Sequence, residues 1–434
     1  MSRILLLAAT TGYQTRAFGD AAERVGVELV FATDRCHVLV DPWQDGAVPV
    51  RFHDESGSVA AILDAVRARP VAGIIALGDR PTVIAARVAE ALDLPGHPPE
   101  GAAAARDKQR TRERLRDAGL PVPWFLGSRI DVNPRDLADR LSFPCVIKPV
   151  ALSGSRGVIR ADDAEGFLIA FERLRSLLQL PEIRAERNEA HDRILVEGFI
   201  PGREFAVEGL LHHGALSVLA LFDKPDPLDG PFFEETIYVT PSSVPAAVAT
   251  SIAGAVSRAA AAIGLRHGPI HAECRLAPRG ESPADAGAVF VLEVAARPIG
   301  GLCSQALRFV RKGVSRPLFS LEEILLRHAL DEPPGAWCRE ARASGVMMIP
   351  IPRRGVYRRA SGVEDARRID GVDQVIVTAK EDQLLVPLPE GGSYLGFIFA
   401  RGETRDAVER SLRMAHARLG FTIESEVKLE KMRK

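Results

Sequence analysis

Two glutamates on neighbouring apolar segments are the residues of this sequence best suited to chemistry. Glu273 lies in GPIHAECRLA, Glu293 lies in AVFVLEVAAR, and a polar Gly/Pro-containing link separates them, which predicts a β-hairpin. Because side chains alternate across a strand, Arg275 should share a face with Glu273, and Val291 and Arg297 should share a face with Glu293. Two carboxylates held together need a cation, and oxygen ligands suit Mg²⁺ completed by substrate phosphates. Two outward-facing glutamates on a half-exposed hairpin are the plainer alternative.

A lysine at the end of a second apolar segment indicates an anion site. Lys148 follows Val146 by two residues in LSFPCVIKPV, so both side chains should lie on one face of a strand. The Ser/Gly-rich link at 153–157 comes directly after it, and the backbone N–H groups of such a loop can surround an anion. Most such loops are plain turns, but a lysine that leads into the loop favours a phosphate site.

Other charged stretches are more ambiguous. Glu197 and Glu204 interrupt the apolar runs of ILVEGFIPGREFAVEGLL, which predicts a strand, a turn and a second strand. The loop at 221–242 is dense in Pro, Asp and Glu, and a loop of that length is usually functional. For the basic helix within 106–125 we expect a solvated charged face. His271 beside Glu273 is a candidate general base, although a structurally satisfied histidine is the more ordinary interpretation.

The composition predicts a globular protein with hydrophobic cores. It has 434 residues, of which 46% are hydrophobic and 26% charged, and this length favours two or three domains. A formal net charge of -1 provides no overall basic field for nucleic acid or an anionic membrane. The five cysteines show no CxxC spacing, which favours a reducing compartment. We therefore expect a soluble, cytoplasmic protein with no nucleic-acid or membrane partner.

The predicted fold class is multidomain, with α/β and α+β parts. Residues 1–101 alternate strand and helix in the rhythm of a parallel sheet, and residues 334–434 form a small α+β domain of short strands and helices. A nicotinamide-binding Rossmann domain is disfavoured because the first turn lacks GxGxxG. The turn residues Gly12, Asp34 and Asp79 are interpreted as plain turn residues.

The order of these features resembles the ATP-grasp superfamily of carboxylate–amine ligases, and within it the L-amino-acid ligases that make dipeptides and related amides. The resemblance covers essentially the whole chain. It implies an N-terminal pre-ATP-grasp domain, a two-lobed ATP-grasp domain at 102–333 with its nucleotide-binding lobe at 125–205, and a C-terminal α+β domain. It also implies ATP, Mg²⁺ or Mn²⁺, an acyl-phosphate intermediate, small carboxylate and amine substrates such as amino acids or small peptides, and a homodimer.

The resemblance also implies roles for individual positions. The nucleotide phosphates would contact Lys108 and Lys148. The lid over the phosphates would comprise Ser153, Gly154, Ser155 and Gly157. The adenine ring would meet Glu197 and the backbone of Phe199 and Ile200, and the ribose hydroxyls would meet Glu204.

The implied metal ligands are Glu273 and Glu293, with the catalytic Arg297 beside the acyl phosphate. Many ATP-grasp enzymes have Asn where this chain has Ala295, so that ligand is absent here. L-amino-acid ligases also read EVAAR at this point and take a glutamate from the preceding acidic loop.

In this chain the glutamate from the acidic loop would be Glu234 or Glu235, and the sequence leaves the choice open. Lys224 in the same loop would reach the γ-phosphate. Two alternatives to a ligase stay open: an ATP-grasp carboxylase of the biotin carboxylase or purine-biosynthesis type, and a catalytically silent ATP-binding protein.

Overall fold

A four-stranded parallel sheet forms the N-terminal domain. The computed structural model describes residues 1–9, 14–34, 47–278 and 287–425, so the turn at Gly12 lies outside the described residues. The elements of this domain are β1 (Arg3–Ala8), α1 (Thr15–Val25), β2 (Glu28–Thr33), β3 (Val48–Pro49), α2 (Glu55–Val66), β4 (Gly73–Leu77) and α3 (Thr82–Ala91). The strand order is β3-β2-β1-β4. Ile4 and Leu6 pack into one core cluster while Leu5 and Leu7 pack into another, because both faces of a parallel sheet are covered.

A small antiparallel lobe follows two connecting helices. The elements are α4 (Pro99–Arg106), α5 (Lys108–Asp117), β5 (Phe125–Arg129), α6 (Pro134–Ala138), β6 (Cys145–Pro149), β7 (Ile159–Ala161), α7 (Ala164–Leu178), α8 (Pro181–Arg184) and β8 (Arg193–Gly198). The strand order is β5-β8-β6-β7. Phe167, Phe171 and Leu174 of α7 pack on Ile147 of β6, so the helix covers one face of the lobe and leaves Lys148 on the other.

The rest of the chain is built around an eight-stranded sheet, in the order β13-β12-β9-β10-β11-β17-β21-β19. The elements of this part are β9 (Arg203–His212), β10 (Ala215–Asp223), β11 (Ile237–Thr240), α9 (Ala246–Ile263), β12 (Gly268–Leu276), β13 (Val289–Ala295), β14 (Arg308–Arg311), β15 (Phe319–Ser320), α10 (Leu321–Ala329), β16 (Trp337–Arg339), β17 (Ala343–Ile349), β18 (Gly355–Ser361), α11 (Val363–Arg367), β19 (Val372–Val377), β20 (Leu384–Leu385), β21 (Gly396–Gly402), α12 (Arg405–His416) and β22 (Gly420–Glu424). Two further sheets among the described residues have three strands each, in the orders β15-β14-β16 and β20-β18-β22. Because β11 pairs with β17, the eight-stranded sheet runs across the predicted boundary at 334.

The predicted hairpin is present as β12 and β13, with a β-bulge that changes which side chains share a face. Glu273 pairs directly with Glu293, but Cys274 pairs with Val291, so Leu292 is an extra residue on β13. Val291 therefore packs beside Cys274 in the apolar core. The expectation that Val291 shares a face with Glu293 is wrong, because a bulge interrupts the alternation of side chains.

One helix among the described residues, α9, is long and apolar enough by length and composition to cross a membrane. Its Ile252, Val256 and Ala259 are nevertheless fully or almost fully buried in the core beneath β9 and β12. This packing is typical of the core helix of a folded domain, for which apolar residues on the inner face are required.

Candidate active site

A cavity of about 370 Å³ lies between the small lobe and the eight-stranded sheet. Most of the predicted site residues line it: Lys108, Lys148, Ser153, Gly154, Ser155, Glu197, Phe199, Ile200, Glu204, Glu235, Glu273, Glu293 and Arg297. Among the described residues, Gly157, Lys224 and Glu234 do not contribute to this lining. Residues separated by almost two hundred positions thus meet in one concave site, which is typical of a small-molecule pocket.

Two lysines approach the cavity from different elements. Lys148 is the penultimate residue of β6, is 6% exposed, and donates to a carboxylate oxygen of Glu197. Lys108 begins α5, donates to the carbonyl of Leu152 at 2.7 Å, and lies 3.2 Å from Glu293. Burial lowers the pKa of the Lys148 ammonium to about 8, although the charge of Glu197 opposes the shift. Both ammonium groups therefore lie beside the Ser/Gly loop, where an anion would be neutralised.

Arg112 is a site residue that the sequence interpretation missed. Its guanidinium holds both oxygens of Glu197, at 2.7 and 3.2 Å, and donates to the carbonyls of Val291 and Leu292 at 3.0 Å. Burial opposes ionisation of Glu197, but Arg112 and Lys148 outweigh it and lower the pKa to about 2. The prediction that the charged face of this helix is solvated is therefore wrong for Arg112, which is 1% exposed.

An aromatic wall stands beside Glu197. Phe199 and Phe233 stack with ring centroids 6.4 Å apart, and the guanidinium of Arg275 lies within 5.6 Å of both rings. The Ile200 carbonyl accepts from Arg275 at 2.7 Å, and the Phe199 N–H donates to the Pro144 carbonyl at 3.1 Å. Phe199 and Phe233 both line the cavity and so present aromatic surface to a planar ring bound there.

Three carboxylates gather around the ammonium of Lys224. Its Nζ is 2.7 Å from Glu204 and 3.3 Å from Glu273, and it also donates to Glu235. Oxygens of the three glutamates lie within 4.8 Å of one another. Burial, together with the charge of Glu273, raises the pKa of Glu235 to about 8. Lys224 thus lies behind the lining as the cation of an acidic cluster.

The acidic cluster fits a divalent ion, because its donors are all carboxylate oxygens of the kind that a hard cation prefers. The structure brings Glu235 to Glu273, whereas Glu234 is half-buried outside the cavity lining. Glu293 faces Glu273 across the hairpin but is paired with Lys108. Within the described parts of the chain, Glu293 does not belong to the cluster.

Arg297 is held by a residue of the N-terminal domain. Its guanidinium binds both oxygens of Asp79, at 2.9 and 3.2 Å. Burial opposes ionisation of Asp79, but the charge and hydrogen bonds of Arg297 lower the pKa of the carboxyl. The interpretation of Asp79 as a plain turn residue is wrong. Its position at the carboxyl end of β4 was the available signal, because ligand sites of parallel sheets lie beyond that edge.

A buried carboxylate orients the cavity histidine. Glu208 is 0% exposed and accepts from His271 Nδ1 at 3.1 Å and from the Ile299 N–H at 3.1 Å. His271 Nε2 lies 3.9 Å from Glu273 and lines the cavity. The histidine is therefore both structurally satisfied and exposed to the site, with its ring orientation fixed by Glu208.

The Ser/Gly loop contacts the C-terminal part of the chain. Gly157 donates its N–H to the Pro389 carbonyl at 2.8 Å, and Arg156 donates to the Glu390 carbonyl at 2.6 Å. Gly154 and Ser155 have positive φ angles of 65° and 56°, which turns successive N–H groups toward one side. The segment after Glu390 also lines the cavity, through residues 392–394. Sequence reasoning had given the C-terminal domain no part in the site.

Comparison with known families agrees with this architecture. Residues 19–96 match the ATP-grasp N-terminal domain, residues 141–306 match the ATP-grasp domain, and residues 347–424 match the L-amino acid ligase C-terminal domain 2. These matches confirm the predicted fold class, and they define a multidomain ATP-grasp protein. ATP-grasp enzymes use ATP and a divalent metal ion.

The likeness extends to amino-acid ligases in particular. The structure of an L-amino acid ligase from Bacillus licheniformis is 26% identical, with a TM-score of 0.80 over 98% of this chain and 99% of that one. Carnosine synthase 1 of Gallus gallus is 30% identical over 305 residues, which cover 66% of this chain and 31% of the relative. Alanine–anticapsin ligase of Bacillus subtilis (strain 168) is 27% identical over 206 residues, 44% of this chain and 42% of the relative.

The chain spans less than half of these two curated relatives. The full-length structural match together with the C-terminal family confirms the predicted resemblance. The chain belongs to the ATP-grasp superfamily and is similar there to L-amino-acid ligases, and the comparisons support ATP-dependent amide ligation only as a general class of reaction.

Proposed function

We propose that this protein is an ATP- and Mg²⁺-dependent ligase that joins the carboxyl group of an amino acid or small carboxylate to an amine. The observation that carries the proposal is the convergence of two lysines, three clustered carboxylates and an oriented arginine on one cavity. Phosphoryl transfer requires positioning and charge neutralisation more than covalent help. This set of side chains supplies both.

Lys108 and Lys148 are proposed to hold the phosphates of ATP, with the backbone of residues 153–157 closing over them. The aromatic wall at Phe199 would receive the adenine ring next to Glu197. Since Lys148 already pairs with Glu197, phosphate binding would exchange one anionic partner for another without leaving the ammonium unpaired.

The proposed reaction has two steps. A carboxylate oxygen attacks the γ-phosphorus and ADP leaves, which gives an acyl phosphate; the amine then attacks the acyl carbon and inorganic phosphate leaves, which gives the amide. Arg297, oriented by Asp79, would stabilise the charge that develops on the transferred phosphoryl group and the acyl oxygen. A divalent ion held by Glu273 and Glu235 of the acidic cluster, with Glu293 as the further ligand that the family likeness implies, would neutralise phosphate charge.

We infer that His271 accepts the proton that the attacking amine releases. Its Nδ1 is bonded to Glu208, so the Nε2 that lines the cavity can serve as the base. A buried carboxylate that orients a histidine is the arrangement used for proton transfer in other enzymes. This role is one of the two that the sequence left open for His271, the other being purely structural.

Part of the cavity lining indicates an apolar substrate group. The lining includes Tyr238, Met348, Tyr394 and Phe397, and the Cβ of a residue at Gly301 would meet the Phe397 ring at 3.3 Å. An amino acid with an apolar side chain fits this lining better than an acidic one, because an unpaired charge is costly there. A cytoplasmic location, from the cysteine pattern, and a homodimer, from the family likeness, are further parts of the proposal.

The test is phosphate release from ATP across a matrix of paired amino acids with Mg²⁺, with products identified by mass spectrometry. Lys148→Met should abolish turnover, whereas Lys312→Met removes an exposed lysine and should not. An amide product that depends on Lys148 supports the ligase. ATP turnover that requires bicarbonate would support the carboxylase alternative, and ATP binding without turnover across a full matrix would support the silent binding protein.

A further inference from the structure

Four histidines and an aspartate cluster outside the lining of the ATP cavity. His212 ends β9, His213 lies in the turn between β9 and β10, and His267 directly precedes β12. His328 lies at the end of α10, and Asp331 follows that helix. The cluster therefore brings together the β9–β10 connection, the start of β12 and the end of α10. None of its members has a part in the proposed ligation.

The potential ligand atoms of this cluster are close together. Asp331 Oδ1 is 3.0 Å from His213 Nε2, 3.8 Å from His212 Nδ1 and 4.0 Å from His267 Nδ1. One ligand atom from each of these four residues lies within 4.8 Å of all the others. Around a tetrahedral zinc ion such atoms are about 3.3 Å apart, so a modest contraction would complete the geometry.

Unpartnered nitrogen atoms provide an independent sign of a ligand. His267 is 4% exposed, and both of its ring nitrogens are buried without a hydrogen-bond partner among the described residues. His212 Nδ1 and His328 Nε2 are in the same condition. A buried polar atom without a partner costs about 1–3 kcal/mol, and native proteins seldom leave several such atoms together.

His97, in the same region, is a histidine whose ring nitrogens have only structural hydrogen bonds. Its Nε2 lies 3.1 Å from the Pro269 carbonyl, and its Nδ1 accepts from the Arg266 N–H at 3.2 Å. Both of its ring nitrogens are therefore satisfied by backbone groups. The contrast with His97 indicates that the ring nitrogens of His267 bind a ligand that is not part of the protein.

We propose that His212, His213, His267 and Asp331 bind a transition-metal ion of the zinc class as a structural site. Three imidazole nitrogens and one carboxylate oxygen are a donor set that suits Zn²⁺, and four protein ligands leave no open position for catalysis. His328 stacks on His267 with ring centroids 4.3 Å apart and would support that ligand from behind.

The position of the site gives the metal a structural task. The Ala329 carbonyl at the end of α10 lies directly against Gly73 of β4, so this helix end also contacts the N-terminal domain. A metal ion would fasten the β9–β10 turn to that helix end. Binding energy at a site that is formed only in the folded chain contributes directly to stability.

The experiment uses the full chain after chelator treatment, titrated with Zn²⁺ alone by calorimetry and by thermal unfolding, and with Co²⁺ for its visible spectrum. The test variants are His213→Asn and Asp331→Asn. Both positions are exposed and have positive φ angles, 49° and 66°, which Asn adopts readily. Each variant therefore removes one proposed metal ligand and keeps the backbone conformation at that position. His53→Asn, at an exposed histidine elsewhere, is the matched control, and Glu273→Gln tests for binding in the ATP cavity.

We expect one equivalent of Zn²⁺ to bind and raise Tm, and Co²⁺ to give the intense absorption of a tetrahedral site. Affinity should fall roughly 10- to 100-fold or more in each ligand variant and stay unchanged in His53→Asn and Glu273→Gln. The proposal is overturned if Zn²⁺ fails to bind at millimolar concentration, if the ligand variants bind it as the wild type does, or if Glu273→Gln is the variant that loses it.

Discussion

Arg297 and Asp79 form a bidentate ion pair that joins the end of the β12–β13 hairpin to the N-terminal parallel sheet. The two residues are 218 positions apart in sequence. The pair fixes the direction of the guanidinium that we propose for transition-state stabilisation. The N-terminal domain therefore contributes a carboxylate that orients a residue of the candidate active site.

Replacing Asp79 with Asn should lower kcat by roughly 10- to 100-fold, because a misplaced guanidinium loses transition-state contacts. The KM for ATP should change little, since Asp79 is not proposed to touch the nucleotide. Steady-state kinetics measure both constants. Asp64→Asn, which breaks an exposed pair with Arg67, should leave kcat and KM unaltered. If Asp64→Asn lowered kcat as much as Asp79→Asn, the loss could not be assigned to the positioning of Arg297.

Replacing Arg112 with Met should destabilise the protein by about 3–5 kcal/mol, because Glu197 would keep a buried charge with one partner fewer. The matched control on the same helix is Arg116→Met, whose side chain is 56% exposed. Thermal unfolding of the two variants measures the difference. Equal Tm values for both variants would mean that the Arg112–Glu197 pair does not stabilise the fold.

The neighbouring residues Glu234 and Glu235 should behave differently. Glu235→Gln should raise the Mg²⁺ concentration needed for half-maximal activity by roughly 10- to 100-fold, because Glu235 lies with Glu273 and Glu204 in the acidic cluster. Glu234→Gln should leave the Mg²⁺ requirement close to that of the wild type. Activity measured against Mg²⁺ concentration tests this, and a larger effect at Glu234 would reverse the assignment.

The affinity for ATP should fall as pH rises through about 8. Burial lowers the pKa of Lys148 to about 8, so the ammonium that attracts phosphate is present below that pH and is lost above it. One linked proton corresponds to at most about a tenfold change in affinity per pH unit. Calorimetry between neutral pH and mildly alkaline pH measures this slope in the wild type and in Lys148→Met. A slope that persists in Lys148→Met would assign the titration to another group.

Local patterns in the sequence predicted much of the scaffold. The alternation of strands and helices predicted for residues 1–101 is present in the N-terminal domain, because apolar periodicity and helix termini are local properties. The hairpin that brings Glu273 and Glu293 together was also predicted from the sequence, and its register pairs the two residues directly. These features depend on neighbouring residues, and a single sequence contains that information.

Features that depend on contacts between residues far apart in sequence could not be predicted from local patterns. The bulge at Leu292, the burial of Arg112 and the Asp79–Arg297 pair each arise from packing between separate elements. For Arg112 a signal existed, because Thr111 and Leu115 mark an inward face of α5. The abundance of arginine on that helix favoured the solvated alternative, since lone charged residues are rarely fully buried.

The most direct test of the central claim is the fate of carboxylate oxygen during turnover. The substrate pair found in the amino-acid matrix is prepared with ¹⁸O in the carboxyl group and incubated with ATP and Mg²⁺. A ligase that forms an acyl phosphate must transfer one ¹⁸O atom to inorganic phosphate for each amide formed, and ADP must be the nucleotide product. Phosphate without ¹⁸O, or AMP as the nucleotide product, would contradict the account.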